Sequence, residues 1–270
     1  MSAHRIGHTA LVRLARWTKR WPAVAARHAV DLCFPPVCAF CLEEIDGMVD
    51  RILLCDQCRR AFAPTELGYC LRCGAVFTAS EPDRSSCELC PRKPPAYDGV
   101  IPLGPYHGLL QEAVLRMKRP AGQPLCRAVS RLYLQRRGGA IGEYRPDWVL
   151  PIPMHWRRRL VRGVNSPEVL ASQLGRSLRL PVATDVLVRR RPTRVQRTLR
   201  PDDRFRNVRG AFALQKGYDI RGSHVLVVDD VLTTGATCHE AAKVLKLAGA
   251  ATVMAAVIAK GGGREPSRTV

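Results

Sequence analysis

The sequence predicts an α/β fold, a Rossmann-like parallel sheet, preceded by a small module built on four-cysteine metal sites. Three observations carry this. Short apolar runs alternate with helical spacing from Tyr97 onward, the run VLVV at 225–228 suits a central parallel strand, and four C-x-x-C pairs crowd the N-terminal third. A chain of 270 residues has room for one mid-sized domain and one small module.

Residues 1–32 alternate basic and apolar side chains (Ile6, Leu11, Val12, Leu14, Trp17, Trp21, Val24), and no apolar run is long enough to span a bilayer. The stretch suits a basic amphipathic helix in peripheral contact with a membrane, a helix packed on its own protein, or a frayed tail.

Residues 33–94 hold Cys38-x2-Cys41, thirteen residues, Cys55-x2-Cys58, then Cys70-x2-Cys73, thirteen residues, Cys87-x2-Cys90. One module occurs twice, in the manner of a double zinc ribbon. Each turn presents two thiolates, and two turns close a tetrahedral shell with no open position, which is the pattern of structural zinc. A module of about thirty residues buries too little apolar surface to fold alone, and the metal supplies the missing free energy. Matched gaps argue against redox or iron–sulfur use. Sequential pairing gives one zinc site from 38, 41, 55 and 58 and another from 70, 73, 87 and 90; a cross-braced arrangement has the same spacing. Cys33, Cys126 and Cys238 read as plain buried or loop cysteines. This usage, in a chain without an apolar signal, belongs to a reducing compartment, the cytoplasm.

PRKPPAY at 91–97 reads as a linker. In the domain over 97–260, the pattern predicts a strand at 98–103, a helix with Leu110, Val114 and Met117 on its apolar face, and a second helix over 125–136. A short apolar run follows Trp148, then a basic loop, then a helix from Pro167 to about Leu178 capped by Asn165 or Ser166. A strand at 184–188 leads into a segment of over twenty residues with no apolar period, read as a functional loop. The strand at 225–228, a helix over 237–248 ended by Gly249, and a strand at 252–258 complete the sheet. The tail 261–270 reads as disordered.

An open parallel sheet binds ligands beyond the carboxyl ends of its strands. The sequence puts Asp229 and Asp230 there, after VLVV, and follows them with Val231, Leu232, Thr233, Thr234, Gly235, Ala236 and Thr237. Two adjacent acids accept hydrogen bonds from vicinal hydroxyls. Glycine lets backbone approach a ligand, three threonine hydroxyls add donors, and the helix that starts here turns its free N–H groups to the same point. A ribose phosphate satisfies both halves at once.

The run of four apolar residues, two acids and apolar-x-T-T-G-x-T resembles the phosphoribosyl-pyrophosphate (PRPP) motif of type I phosphoribosyltransferases. PIPMHWRRRLVRGVN resembles the P-x-P … R-x-x-R-G-F-N-Q segment of the ComF family. RPTRVQRTLRPDDRFRNVRGAF resembles that family's R-x-T-x-x-Q … R-x-x-N-x-x-G-A-F. With DLCFPPVCAFC and PYHGLLQEAVLRMK, the resemblance covers residues 31–259. It implies that Asp229 and Asp230 hold the ribose hydroxyls and that Thr233, Thr234, Gly235, Ala236 and Thr237 cradle the 5′-phosphate. It also implies that Arg159, Arg162 and Gly163 face the pyrophosphate, and that 189–210 is a hood over the site. Val164 stands where Phe is usual and Ser166 where Gln is usual. Displacement of pyrophosphate passes through an oxocarbenium-like state and needs charge neutralisation, for which Mg2+ beside PRPP is the expected cofactor. No sequence feature names the acceptor.

Lys and Arg total 43 against 23 Asp and Glu, a formal charge of +20. Such a surface attracts nucleic acid, anionic membranes or phosphorylated small molecules, and a generic solubilising surface accounts for it equally well. Two functional readings follow. One is a phosphoribosyltransferase of unnamed acceptor; the other is a single-stranded-DNA-binding factor whose pocket is regulatory. For both, the resemblance implies DNA-uptake or DNA-processing partners and a part in natural transformation or the use of external DNA.

Overall fold

The computed structural model of the chain describes residues 35–45, 50–78, 87–154, 164–194 and 199–262. The basic segment 1–32 and the tail from 263 lie outside them. Two compact units divide the chain, residues 1–55 and 56–270. In the first, the Cys38–Cys41 turn is closed by backbone: Cys38 N–H donates to the Glu43 carbonyl at 2.8 Å and Leu42 N–H to the Cys38 carbonyl at 2.9 Å. Leu42 takes a left-handed φ of 68° to do so.

The second unit begins with helix α1 (Asp56–Phe62) and a hairpin of β1 (Leu67–Tyr69) with β2 (Val76–Thr78), whose turn carries Cys70 and Cys73. The larger architecture follows: β3 (Gly99–Pro105), α2 (Gly108–Met117), α3 (Gln123–Tyr144), β4 (Trp148–Pro151) and α4 (Ser166–Leu178). After it come β5 (Leu187–Arg189), α5 (Pro201–Val208), β6 (Phe212–Leu214), β7 (His224–Leu232), α6 (Ala236–Leu247) and β8 (Thr252–Lys260).

The main sheet has the order β3-β8-β7-β4, and every pairing in it is parallel. The central pair is apolar on both faces, with Val225 to Val228, Val253 and Ala255 to Ala259 almost wholly buried, because helices cover both sides of a parallel sheet. Leu110, Val114 and Met117 are buried as their spacing predicts.

Three elements differ from expectation. Helix α3 runs on to Tyr144, past Gly138 and Gly139, whose Cβ positions face open space. The pair costs about 1 kcal/mol per glycine, which the anchors beyond it offset: Ile141 is fully buried and Tyr144 Oη donates to the Val225 carbonyl at 3.1 Å. The strand expected at 184–188 is β5, at 187–189, and it pairs with β6 in a separate antiparallel ribbon. The segment read as loop contains α5, a short polar helix whose pattern shows no apolar period: among its described side chains, Val208 is the one fully buried hydrophobic group.

Edge strand β3 would present bare carbonyls. Helix α3 covers them, with Tyr133 Oη donating to the Ile101 carbonyl at 2.7 Å and Arg137 donating to those of Pro102 and Leu103 at 2.8 and 3.1 Å. The buried Tyr133 thereby satisfies its hydroxyl. At the far side of the sheet, the Ile152 N–H meets the Val228 carbonyl at 2.8 Å. The start of the loop after Pro153 is thus fixed beside the end of β7.

Candidate functional site

Strand β7 extends through both acids to Leu232, and pairing of Asp229 with Val257 and of Val231 with Ala259 holds the run against β8. The acids are therefore placed by the sheet rather than by a loop. Thr233 and Thr234 make the turn. Gly235 caps α6 at φ +77°, and a Cβ there would stand 2.5 Å from the Tyr97 hydroxyl. Both the left-handed backbone and the contact require glycine. Thr234 Oγ1 accepts from the Ala236 N–H at 3.5 Å, a long first-turn bond.

Positive groups converge on this end of the sheet. Lys118, immediately after α2, places Nζ 3.0 Å from Asp230 Oδ2, with the two side chains 24% and 18% exposed. Arg204 of α5 donates from Nη1 to Thr233 Oγ1 at 2.9 Å. Arg189 at the end of β5 donates to the Pro153 carbonyl at 3.4 Å and to Thr193 Oγ1. Burial and the adjacent Asp230 carboxylate push the Asp229 carboxyl up to about 7, against the Asp230 backbone N–H that it accepts and the charges of Lys118 and Arg189. Burial lowers the Lys118 pKa, but the facing Asp230 carboxylate outweighs it and holds the ammonium above its ordinary value.

Of the residues expected at the site, Asp229, Asp230, Thr233, Thr234, Gly235, Ala236 and Thr237 share this one corner, at the carboxyl end of β7 and the start of α6. Arg159, Arg162 and Gly163 lie outside the described residues. Lys118, Arg189 and Arg204 were not singled out from the sequence. The signal existed for two of them: Lys118 ends PYHGLLQEAVLRMK, and Arg204 opens the R-x-x-N motif. Asn207 of that motif exchanges two bonds with the Arg194 backbone, at 2.9 and 3.1 Å, and Gly210 N–H donates to the buried Glu240 of α6 at 2.7 Å. The segment around Arg194, Asn207 and Gly210 is thereby tied to α6, the helix that follows the Thr233–Gly235 turn.

The cysteines group sequentially. The sulfurs of Cys38, Cys41, Cys55 and Cys58 lie within 4.8 Å of one another, as do those of Cys70, Cys73, Cys87 and Cys90. A tetrahedral shell with bonds of about 2.3 Å separates sulfurs by about 3.8 Å. Observed separations are 3.6 Å for Cys41–Cys55, 3.7 Å for Cys70–Cys90 and 3.6 Å for Cys73–Cys87. Both groups fit zinc. Burial raises the Cys38 pKa, but backbone N–H groups of Cys41, Cys55 and Phe40 outweigh it and bring the thiol down to about 7, near the thiolate a metal needs. Cys126 and Cys238 are fully buried, and burial raises both thiols, Cys126 to about 12. Cys33 lies outside the described residues.

Residues 160–269 match the family model of the phosphoribosyl transferase domain. Over 205 residues, 74% of this chain and 87% of the relative, the chain is 33% identical to the DNA utilization protein YhgH of Escherichia coli O6:H1. Over 200 residues it is 30% identical to competence protein F of Haemophilus influenzae, covering 73% of this chain and 85% of the relative. The chain belongs to the ComF family. Within this ComF chain, Ser166 opens α4 and offers its carbonyl to Cys126 Sγ at 3.9 Å. Val164, the other departure from the family pattern, precedes the helix and is half-buried. Among solved structures the chain is similar to the glutamine PRPP amidotransferase of B. subtilis, at 21% identity over 55% of this chain and 30% of that one, with a TM-score of 0.36.

Proposed function

We propose that this ComF-family chain binds PRPP with Mg2+ at the carboxyl end of β7 and acts in DNA uptake or the use of external DNA. The observation that supports it most is one corner of the fold. A pair of acids lies in the last four residues of the central strand, the Thr233–Gly235 turn follows, and helix α6 opens with its N–H groups toward the same point. In this reading Asp229 and Asp230 accept the ribose hydroxyls, while the turn and the first N–H groups of α6 take the 5′-phosphate. Oxygen donors on the two acids and on PRPP suit Mg2+, which when bound neutralises pyrophosphate. Arg159 and Arg162 stand for the pyrophosphate side, and Arg204 carries hood charge to the phosphate loop. The acids, once ionised, stabilise positive charge developing on the ribose, and no protein nucleophile is required.

The test is thermal unfolding. Mg2+ with PRPP at about a hundred times Kd should stabilise the fold by about 2.7 kcal/mol, and PRPP without Mg2+ by much less. An unchanged midpoint under both conditions would remove the reading.

The relatives, a DNA utilization protein and a competence protein, favour a role with DNA, and one structural observation favours direct contact. An open cavity of about 420 Å3 between α1 and α3 is lined by Asp56, Arg59, Arg60, Gln135 and Arg136. Three guanidiniums against one carboxylate suit a phosphate backbone. In the second reading, a single strand binds here and the PRPP pocket is regulatory. Among the described residues no helix is long and apolar enough to cross a membrane.

A further inference from the structure

The second cysteine cluster is built against the sheet. Its Cys70–Cys73 turn presents the Leu71 carbonyl to the Val100 N–H of β3 at 2.8 Å. Two glycines permit the approach. A Cβ on Gly99 would come 2.6 Å from the Leu71 oxygen. One on Gly74, which sits at φ +73°, would come 2.6 Å from Val100 Cγ1 and 3.6 Å from Lys260 Cδ.

Lys260 is the last residue of β8 and is 9% exposed. Its stem passes the cysteine turn, and its ammonium donates to the carbonyls of Thr233, at 3.4 Å, and Gly261. Thr233 opens the phosphate loop. Gly261 also donates from its N–H to the Leu232 carbonyl at 2.9 Å, so both residues grip the same turn. Carbonyl dipoles alone compensate a buried ammonium poorly, and burial lowers the pKa of this one below its ordinary value. Four thiolates around a divalent ion carry a net double negative charge, which answers the lysine from the cluster's side. An apolar residue would fill the end of β8 without burying a charge. The lysine therefore serves the connection between cluster and loop.

Taking the PRPP site above as given, we propose that Lys260 is a positioning residue. Through it, metal in the Cys70, Cys73, Cys87 and Cys90 cluster holds the Thr233 end of the phosphate loop in its PRPP-binding conformation. Loss of that metal leaves the ammonium without its counter-charge and loosens the loop. Binding is reciprocal: Mg2+ with PRPP retards metal loss from this cluster.

The experiment titrates the full-length, zinc-loaded chain with Mg2+ and PRPP in five forms: wild type, the C87S/C90S pair, K260M, the triple variant and K260R. Zinc content is measured by mass spectrometry and tertiary structure by near-ultraviolet dichroism. The serine pair and K260M are each expected to weaken PRPP about tenfold. The triple variant should bind within about threefold of the weaker of the two, because the changes interrupt one connection. K260R keeps the charge and should bind within about threefold of wild type. In the absence of PRPP, K260M should also release zinc from the second cluster to a chelator faster than wild type, a readout that stands even if the serine pair misfolds.

A folded serine pair with wild-type PRPP affinity overturns the proposal, as does an additive loss of about a hundredfold in the triple variant. Unaltered zinc release in K260M overturns it too. No heat from wild type removes the PRPP reading itself, whereas heat that ignores the second cluster removes only this inference.

Discussion

Asp229 is held in an unfavourable state for a carboxylate, and that decides how the site responds to pH. Its folded pKa of about 7 lies above the ordinary 3.8, so its ionisation costs folding stability as pH rises between those values and the full cost is present above 7. Asp229→Asn should therefore raise the melting point of the ligand-free protein at pH 8 by about 2–4 °C, the equivalent of about 1 kcal/mol, while abolishing PRPP binding. In the proposed site the ionised form accepts the ribose hydroxyls, so PRPP affinity should fall about tenfold from pH 8 to pH 6. Lys118 lowers the Asp229 pKa, so Lys118→Met should shift the midpoint of that profile upward. A midpoint unmoved in Lys118→Met would show that ligand protonation alone shapes the profile. Gly235 is the other residue with no substitute: Gly235→Ala meets the Tyr97 hydroxyl and strains the backbone, and a loss of about 1–3 kcal/mol in denaturant unfolding is expected.

At the scale of elements, the turn between β7 and α6 was legible because every local rule agreed there: an apolar run, two acids, glycine, then helical spacing. Helix α5 was not legible, since a helix that shows little apolar surface to the core leaves no periodic mark; its role comes from Arg204 and from Asn207, which are polar. The full extent of α3 was hidden by Gly138 and Gly139, a local penalty overruled by tertiary anchors at Ile141 and Tyr144. Lys118 was hidden differently. Its partner is over a hundred residues away, and no spacing rule brings the end of α2 to the end of β7. Because α5 reaches the Thr233 turn through a charged donor, Arg204→Met should weaken the proposed PRPP binding by about 1.5–3 kcal/mol with little change in melting point. Titration of that variant checks it, and wild-type affinity would detach the hood from the site.

For the molecule as a whole, the charge of +20 is a property of its surface and does not name a partner. The cysteine pattern does specify something, because sulfurs far apart in sequence gather into two shells of the dimensions of zinc. The second reading makes its own prediction. Single-stranded DNA should bind with an affinity that falls with salt, and Arg60→Ala with Arg136→Ala should together reduce the log–log slope by about 1.4 while leaving PRPP untouched. Anisotropy titrations at several salt concentrations test this, and an unchanged slope would clear the α1–α3 cavity of any part in DNA contact.

PRPP binding is proposed at the carboxyl end of β7. Isothermal titration of the zinc-loaded chain with PRPP, with and without Mg2+, beside the Asp229→Ala/Asp230→Ala variant, addresses it most directly. The expected result is binding of micromolar strength that requires Mg2+ and disappears in the variant. Equal heats from wild type and variant, or none from wild type, would contradict the account.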